Sequence, residues 1–283
     1  MREPKGRMMP TKIEWADEVW NPVTGCTPIS AGCTNCYASR MMGRGLPKMG
    51  HEGPFSQVQF HPDRLDIPMR WKKPRRIFVG SMTDLFHEQV TDEMIEAVFG
   101  AMSFAGQHTY MVLTKRSERM RDWMLNADLA TCQAETVVRG VEYSSPKNRR
   151  DRVSQLTING PWPLPTVWLG VTIEDASTMY RADHLREISG TTRFISFEPL
   201  LGDPSPHKSL DFSGIHWVIV GGETGQKARC MEYGWPMIIL RQCRAAGVPF
   251  FFKGWGTHHM KKSSPGYRLL DGKVWEERAA LGR

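Results

Sequence analysis

The chain has no run of about 18 apolar residues, so the sequence offers no membrane-spanning helix. No apolar stretch follows the charges of Met1-Arg2-Glu3-Pro4-Lys5-Gly6-Arg7, and no secretory signal is read there. Cysteine is scarce, with 6 in 283 residues, and Cys132, Cys230 and Cys243 stand alone in sequence. That is no disulfide framework, and it suits a reducing compartment, so a cytosolic protein is expected. Internal repeats and low-complexity linkers are also missing. The length then suits one α/β domain of barrel size over 1–283.

Charge is moderate at +7, from 37 basic and 30 acidic residues, but part of it is clustered. Lys72-Lys73-Pro74-Arg75-Arg76 and Lys147-Asn148-Arg149-Arg150-Asp151-Arg152 are the densest runs. Such runs neutralise phosphates and point to a nucleic acid or nucleotide partner; a merely solvated face is the competing reading.

Short apolar runs alternate with amphipathic stretches. Strands are expected near 19–24, 77–80, 109–114, 167–171, 193–197, 217–220 and 248–252. Helices are expected over 92–104, where Met94, Ile95, Val98, Phe99 and Met102 recur at helical spacing, from Ser117, and over 176–188 and 235–246. Near-continuous apolar strands separated by helices predict a parallel sheet covered by helices, and about seven strands suit a partial (β/α) barrel. Segments 44–75 and 127–165, rich in Pro, Gly and charge, read as long insertions.

Ligands of parallel α/β folds gather at the carboxyl ends of strands. Those ends carry Ser81-Met82-Thr83-Asp84, Thr114-Lys115-Arg116, Thr172-Ile173-Glu174-Asp175, Glu198-Pro199, Gly221-Gly222-Glu223-Thr224 and Lys253-Gly254-Trp255. Asp84 and Asp175 also suit helix caps, and Gly221-Gly222 also suits a plain turn.

The first strand runs into Cys26, Cys33 and Cys36, three thiols among Gly25, Pro28, Ser30 and Gly32, which break regular structure. Three thiolates can hold three corners of a 4Fe-4S cluster with one iron left open. They can also bind zinc with a fourth ligand such as His51, His61 or His87, although no second Cys-x-x-Cys knuckle exists, and adjacent His258-His259 diverge on regular backbone.

A three-cysteine loop after the first strand of a partial β/α barrel resembles the radical SAM superfamily. The usual spacing has three residues between the first two cysteines; here there are six, and Tyr37 follows Cys36. With Trp20-Asn21-Pro22-Val23-Thr24-Gly25-Cys26, Ser81-Met82-Thr83-Asp84-Leu85-Phe86-His87, Phe197-Glu198-Pro199-Leu200-Leu201-Gly202 and Phe251-Phe252-Lys253-Gly254-Trp255-Gly256, the chain resembles a phage-associated radical-SAM-like family with a widened cysteine motif.

The resemblance implies a 4Fe-4S cluster on Cys26, Cys33 and Cys36 that cleaves S-adenosylmethionine and generates a 5′-deoxyadenosyl radical. It implies an electron donor such as flavodoxin or ferredoxin, and the host cytoplasm as location. By the same resemblance Ser81, Thr83 and Asp84 would hold the methionine amino group, Thr172 and Glu174 the ribose or carboxylate, and Gly221, Gly222 and Glu223 the adenine. Lys115, Glu198 and Lys253 are the candidates for substrate contact or proton handling, with phosphates on Lys72, Lys73, Arg75, Arg76 or the 147–152 run. The expected activity is isomerisation of an amino-acid-decorated thymine in phage DNA, a hypermodification that evades restriction. A radical DNA-repair lyase and a zinc-binding nucleic-acid module are the rivals.

Overall fold

A strand covered on both faces is apolar at nearly every position, whereas one face turned to water would impose alternation. Val167–Thr172 and Trp217–Gly221 are buried at every residue. They lie in a parallel sheet of seven strands: β1 (Glu18–Trp20), β2 (Arg76–Val79), β3 (Thr109–Thr114), β4 (Val167–Thr172), β5 (Thr192–Phe197), β6 (Trp217–Gly221) and β7 (Phe250–Gly254). Their spatial order is their chain order, with every pairing parallel, and the sheet curls into a half-barrel. The computed structural model describes residues 13–43, 50–141, 160–206 and 209–280. The basic run 147–152 lies outside the described residues.

The convex face is covered by α2 (Asp92–Phe104), α3 (Ser117–Asn126), α4 (Leu129–Val141), α5 (Tyr180–Glu187) and α6 (Gly234–Ala246), while α1 (Tyr37–Gly43) follows the cysteine loop. Among the described residues no helix is long and apolar enough to cross a membrane.

Side chains alternate across each strand, so the sheet has two cores. Ile77, Val79, Tyr110, Val112, Leu169, Val171, Ile195, Phe197, Val218 and Val220 pack outward in one cluster with the helices. Inward, Phe78, Met111, Trp168, Phe194, Trp217 and Phe251 form a second, largely aromatic cluster, which Trp15 completes from outside the sheet. Trp217 meets Trp15, Trp168 and Phe251 edge-on at 6.1–6.3 Å. Continuing the same alternation toward the carboxyl ends places Thr172, Ser196, Gly221 and Lys253 on the concave face, so the bowl has an aromatic floor and a polar rim.

Three expectations need correction. The first strand is divided: Asn21-Pro22 follows Trp20, and Val23–Thr24 leaves the sheet to pair antiparallel with Gln59–Phe60. The last strand lies two residues later than expected, at Phe250–Gly254. The insertion at 127–165 opens with α4, which packs on α2. Its buried positions include Leu129, Cys132, Gln133 and Thr136, a face on which polar groups stand among apolar ones. The two helices approach closely: a Cβ on Gly100 of α2 would stand 2.0 Å from the Cys132 carbonyl oxygen. Thr136 Oγ1 donates to the Ala97 carbonyl at 2.8 Å.

Candidate active site

The strands aim their carboxyl ends at the segment that carries Cys26, Cys33 and Cys36, and side chains from four of those ends fasten it. From the end of β2, Thr83 Oγ1 donates to the Gly25 carbonyl at 2.7 Å, and Gly25 N–H donates to the Met82 carbonyl at 3.0 Å. Asp84 is buried and fully used: Thr114 Oγ1 (2.6 Å), Lys115 N–H (3.0 Å), Phe86 N–H (3.1 Å) and an Arg116 guanidinium nitrogen (3.3 Å) all donate to it. It ties β2 to β3 and opens no helix. Ser81 Oγ meets the Asn21 side chain at 3.2 Å, and the Ser81 carbonyl accepts from the Tyr37 hydroxyl.

At β4, Glu174 is completely buried. Its Oε1 accepts from Ser30 Oγ at 2.7 Å and from Lys115 Nζ, and an Arg181 nitrogen stands 3.9 Å away. Oε2 has no hydrogen-bond partner. Burial alone would raise this carboxyl, but the charge and hydrogen bond of Lys115, with those of Ser30 and the Gly32 amide, outweigh it and hold it below the usual range. A Cβ at position 32 would stand 2.4 Å from Oε1, so any side chain there would displace the Glu174 carboxylate. Asp175 is a cap, as anticipated, accepting from Ser177 N–H at 2.9 Å. Thr172 is buried and its carbonyl accepts from Arg181 at 2.8 Å.

Past β6, Glu223 accepts from Asn35 Nδ2 at 2.9 Å and from Arg229 Nε at 3.0 Å, and Arg229 also donates to the Ala31 carbonyl at 2.9 Å. These donors outweigh burial and keep the Glu223 carboxyl below its ordinary value. Gly222 is required by contact with backbone, since an added Cβ would lie 2.2 Å from the Trp255 carbonyl oxygen, while a Cβ on Gly221 would crowd Glu198 Oε1 at 2.8 Å. Thr83, Asp84, Glu174 and Glu223, read from the sequence as nucleotide contacts, thus serve as clamps on the cysteine loop or its supports.

Two expected residues meet in the bowl itself. Lys253 Nζ and Glu198 Oε1 pair at 2.7 Å. Burial would lower Lys253, but the charge of Glu198 prevails and holds the ammonium above its ordinary value. Tyr37 reaches toward them from α1, its phenol pushed up to about 12 by burial and partly relieved by Lys253. Its ring is 45% exposed while its hydroxyl points inward to the Ser81 carbonyl.

Cys26 Sγ lies 3.8 Å from an Arg116 nitrogen. Burial, reinforced by Asp84, pushes this thiol up to about 12, with Arg116 pulling the other way. Without metal it is therefore protonated at neutral pH. At pH 8 its thiolate fraction is about 10³-fold below that of a free cysteine, and a more basic thiolate recovers part of the rate, so iodoacetamide should modify Cys26 on the order of 100-fold more slowly than free cysteine. Peptide-resolved mass spectrometry of the metal-free chain checks this; a rate equal to that of free cysteine would contradict the buried, cation-flanked setting.

The anticipated zinc ligands are engaged elsewhere. His51 Nδ1 and His61 Nε2 both bond Thr24 Oγ1, at 2.7 and 2.8 Å, and His87 Nε2 bonds Thr27 Oγ1 at 2.7 Å. Burial lowers His61 to about 4, so it is neutral. Among the described residues, one trio of Cys, His or carboxylate ligand atoms lies within 4.8 Å of one another, and it is Cys230, His258 and His259.

The basic run at 72–76 does not serve the bowl. Arg76 begins β2, which puts the run at the amino end of the sheet, opposite the cysteine loop. Arg75 and Arg76 are already paired with Glu18 and Asp17. Ser30, Asn35, Arg116 and Arg229 were not anticipated as parts of the site; their partners lie 90 to 198 residues away in the chain, and only Arg116 stood beside a recognised strand end.

No curated protein and no solved structure matches this chain. A family model matches residues 10–279, and the chain belongs to that family, DUF5131, described as a protein family of unknown function.

Proposed function

We propose that the chain is a radical SAM enzyme in which Cys26, Cys33 and Cys36 would hold a 4Fe-4S cluster. Such a cluster, when bound, supplies the electron that splits S-adenosylmethionine into methionine and a 5′-deoxyadenosyl radical. One observation carries the reading: a loop with three free thiols, none of them in a disulfide, is clamped over the carboxyl ends of a parallel half-barrel. The unpartnered Glu174 Oε2 is a buried acceptor beside that loop, suited to a ribose hydroxyl or an ammonium.

The chain's own residues hold the protons. Lys253 keeps an ammonium against Glu198, and Tyr37 keeps its phenolic proton at neutral pH. At the rim, Tyr233 is 57% exposed and stacks on Trp255 with 14° between planes, a flat surface for a nucleobase. The substrate we assign is an amino-acid-decorated thymine of phage DNA, isomerised to a hypermodified base that resists restriction. A repair lyase would share these cofactors and differ in substrate.

The test is anaerobic reconstitution with iron and sulfide, followed by S-adenosylmethionine and dithionite. A brown protein that forms 5′-deoxyadenosine is expected; a colourless protein that forms none would end the reading. Nucleosides of phage DNA made with and without the gene then decide the substrate. Loss of one modified thymidine supports the isomerase, and an unchanged profile argues for the lyase.

A further inference from the structure

The geometry points to a second metal site, separate from the cysteine loop, formed by Cys230, His258 and His259 and suited to Zn²⁺ with one exchangeable position. One ligand atom from each residue lies within 4.8 Å of the others. Cys230 Sγ and His259 Nε2 are 3.0 Å apart, and the two imidazoles stand edge-on, with centroids at 4.3 Å and planes at 85°. The adjacent histidines were expected to diverge. On the bend that follows β7 they converge instead, on a cysteine from the segment that follows β6.

The site is oriented before any ion arrives. His258 Nδ1 lies 2.7 Å from the Ala228 carbonyl oxygen. A carbonyl only accepts, so Nδ1 carries the hydrogen and Nε2 keeps its lone pair. A backbone carbonyl on the far nitrogen is the usual orienting partner of a metal-bound histidine. The two segments are also fastened together. Thr257 N–H donates to the Glu223 carbonyl at 2.8 Å, Gly225 N–H donates to Thr257 Oγ1 at 2.7 Å, and Thr257 Oγ1 donates to the Gly225 carbonyl at 3.0 Å. A Cβ on Gly256 would meet the Glu223 carbonyl oxygen at 2.4 Å, so the backbones touch. The ligands thus sit on a rigid pair of loops and need only side-chain adjustment to reach the separations of about 3.5 Å that tetrahedral Zn–S and Zn–N bonds impose.

One thiolate and two imidazoles form a borderline-soft donor set, which zinc accepts in tetrahedral geometry. Three protein ligands leave the fourth position for water or an anionic oxygen. His258 and His259 are exposed, so that position faces solvent. Binding would release the Cys230 proton and add a bond between the two segments next to Arg229, which holds both Glu223 and the Ala31 carbonyl.

The test is residue-resolved alkylation of the metal-free, full-length chain with iodoacetamide, with and without one equivalent of ZnCl₂. Zinc is expected to slow modification of Cys230 by at least about 10-fold, and H258A/H259A to remove that protection. Equal rates with and without zinc, or protection that persists in H258A/H259A, would overturn the site. The comparison is made in C26S/C33S/C36S, whose loop cannot capture the equivalent of zinc, so failure of the iron-sulfur reading leaves the result intact. A second arm adds Co²⁺ to C26S/C33S/C36S. A thiolate charge-transfer band lost on adding C230S agrees with the site, and its absence from folded C26S/C33S/C36S contradicts it.

Discussion

Alanine at any one of Cys26, Cys33 or Cys36 is expected to abolish the iron-sulfur chromophore of the anaerobically reconstituted protein and to reduce 5′-deoxyadenosine formation to the level of reductant alone. Each thiolate would hold one corner of the cluster. His87, an anticipated replacement, is buried and its Nε2 is bonded to Thr27 Oγ1. Cys243→Ala is the control, because Cys243 is buried in the outer core on α6 and should leave iron content unchanged. Iron and sulfide analysis with the visible spectrum measures the first effect, and chromatography of the nucleoside measures the second. Full chromophore in a single cysteine variant would sink the ligand assignment.

Glu174→Ala is expected to cost about 3 to 5 kcal/mol of stability, the penalty of breaking a buried ion pair from one side. Loss of the carboxylate leaves Lys115 without its partner and takes the nearby anion from Arg181, whose side chain is only 2% exposed and whose Nε is already unpartnered. It also removes the acceptor of Ser30 Oγ, so the cysteine loop loses a clamp together with the core. Against a total stability of roughly 5 to 15 kcal/mol this is a large fraction. Urea unfolding measures it as a lower midpoint at unchanged slope. A loss under about 1 kcal/mol would show that the pair holds nothing.

The pH dependence has a definite sign. Contacts in the folded chain depress the Glu174 carboxyl, so its contribution is fully present above the unfolded value near 4.3 and disappears as pH falls through the folded value. The stability gap between the native chain and Glu174→Gln should therefore be flat from about pH 7 to pH 5 and should narrow below about pH 4.

The sheet was legible because its strands are covered on both faces and read as apolar runs. Helix α4 was not, because the Pro, Gly and charge of the 127–165 segment outweighed the helical recurrence of Ala130, Ala134, Val137, Val138 and Val141 within it. The carboxyl-end residues were found by position, but their partners were hidden. Nothing near Asn35 announces Glu223, and nothing near Ala31 announces Arg229. The basic run at 72–76 shows the opposite error: composition marked it as a phosphate binder, although its place before β2 already puts it at the other end of a parallel sheet. The Cys230 trio escaped because its cysteine lies 28 and 29 positions before its histidines and the bend that brings both rings to that cysteine has no signature.

The clamps on the cysteine loop have a consequence for biogenesis. Asn35 waits for Glu223, 188 residues later, and Ala31 waits for Arg229, 198 residues later. At about 5 to 20 residues per second a ribosome leaves the loop without those brackets for roughly 10 to 40 seconds. The thiols thus precede the last of their brackets in synthesis, which leaves them open to oxidation in a nascent chain.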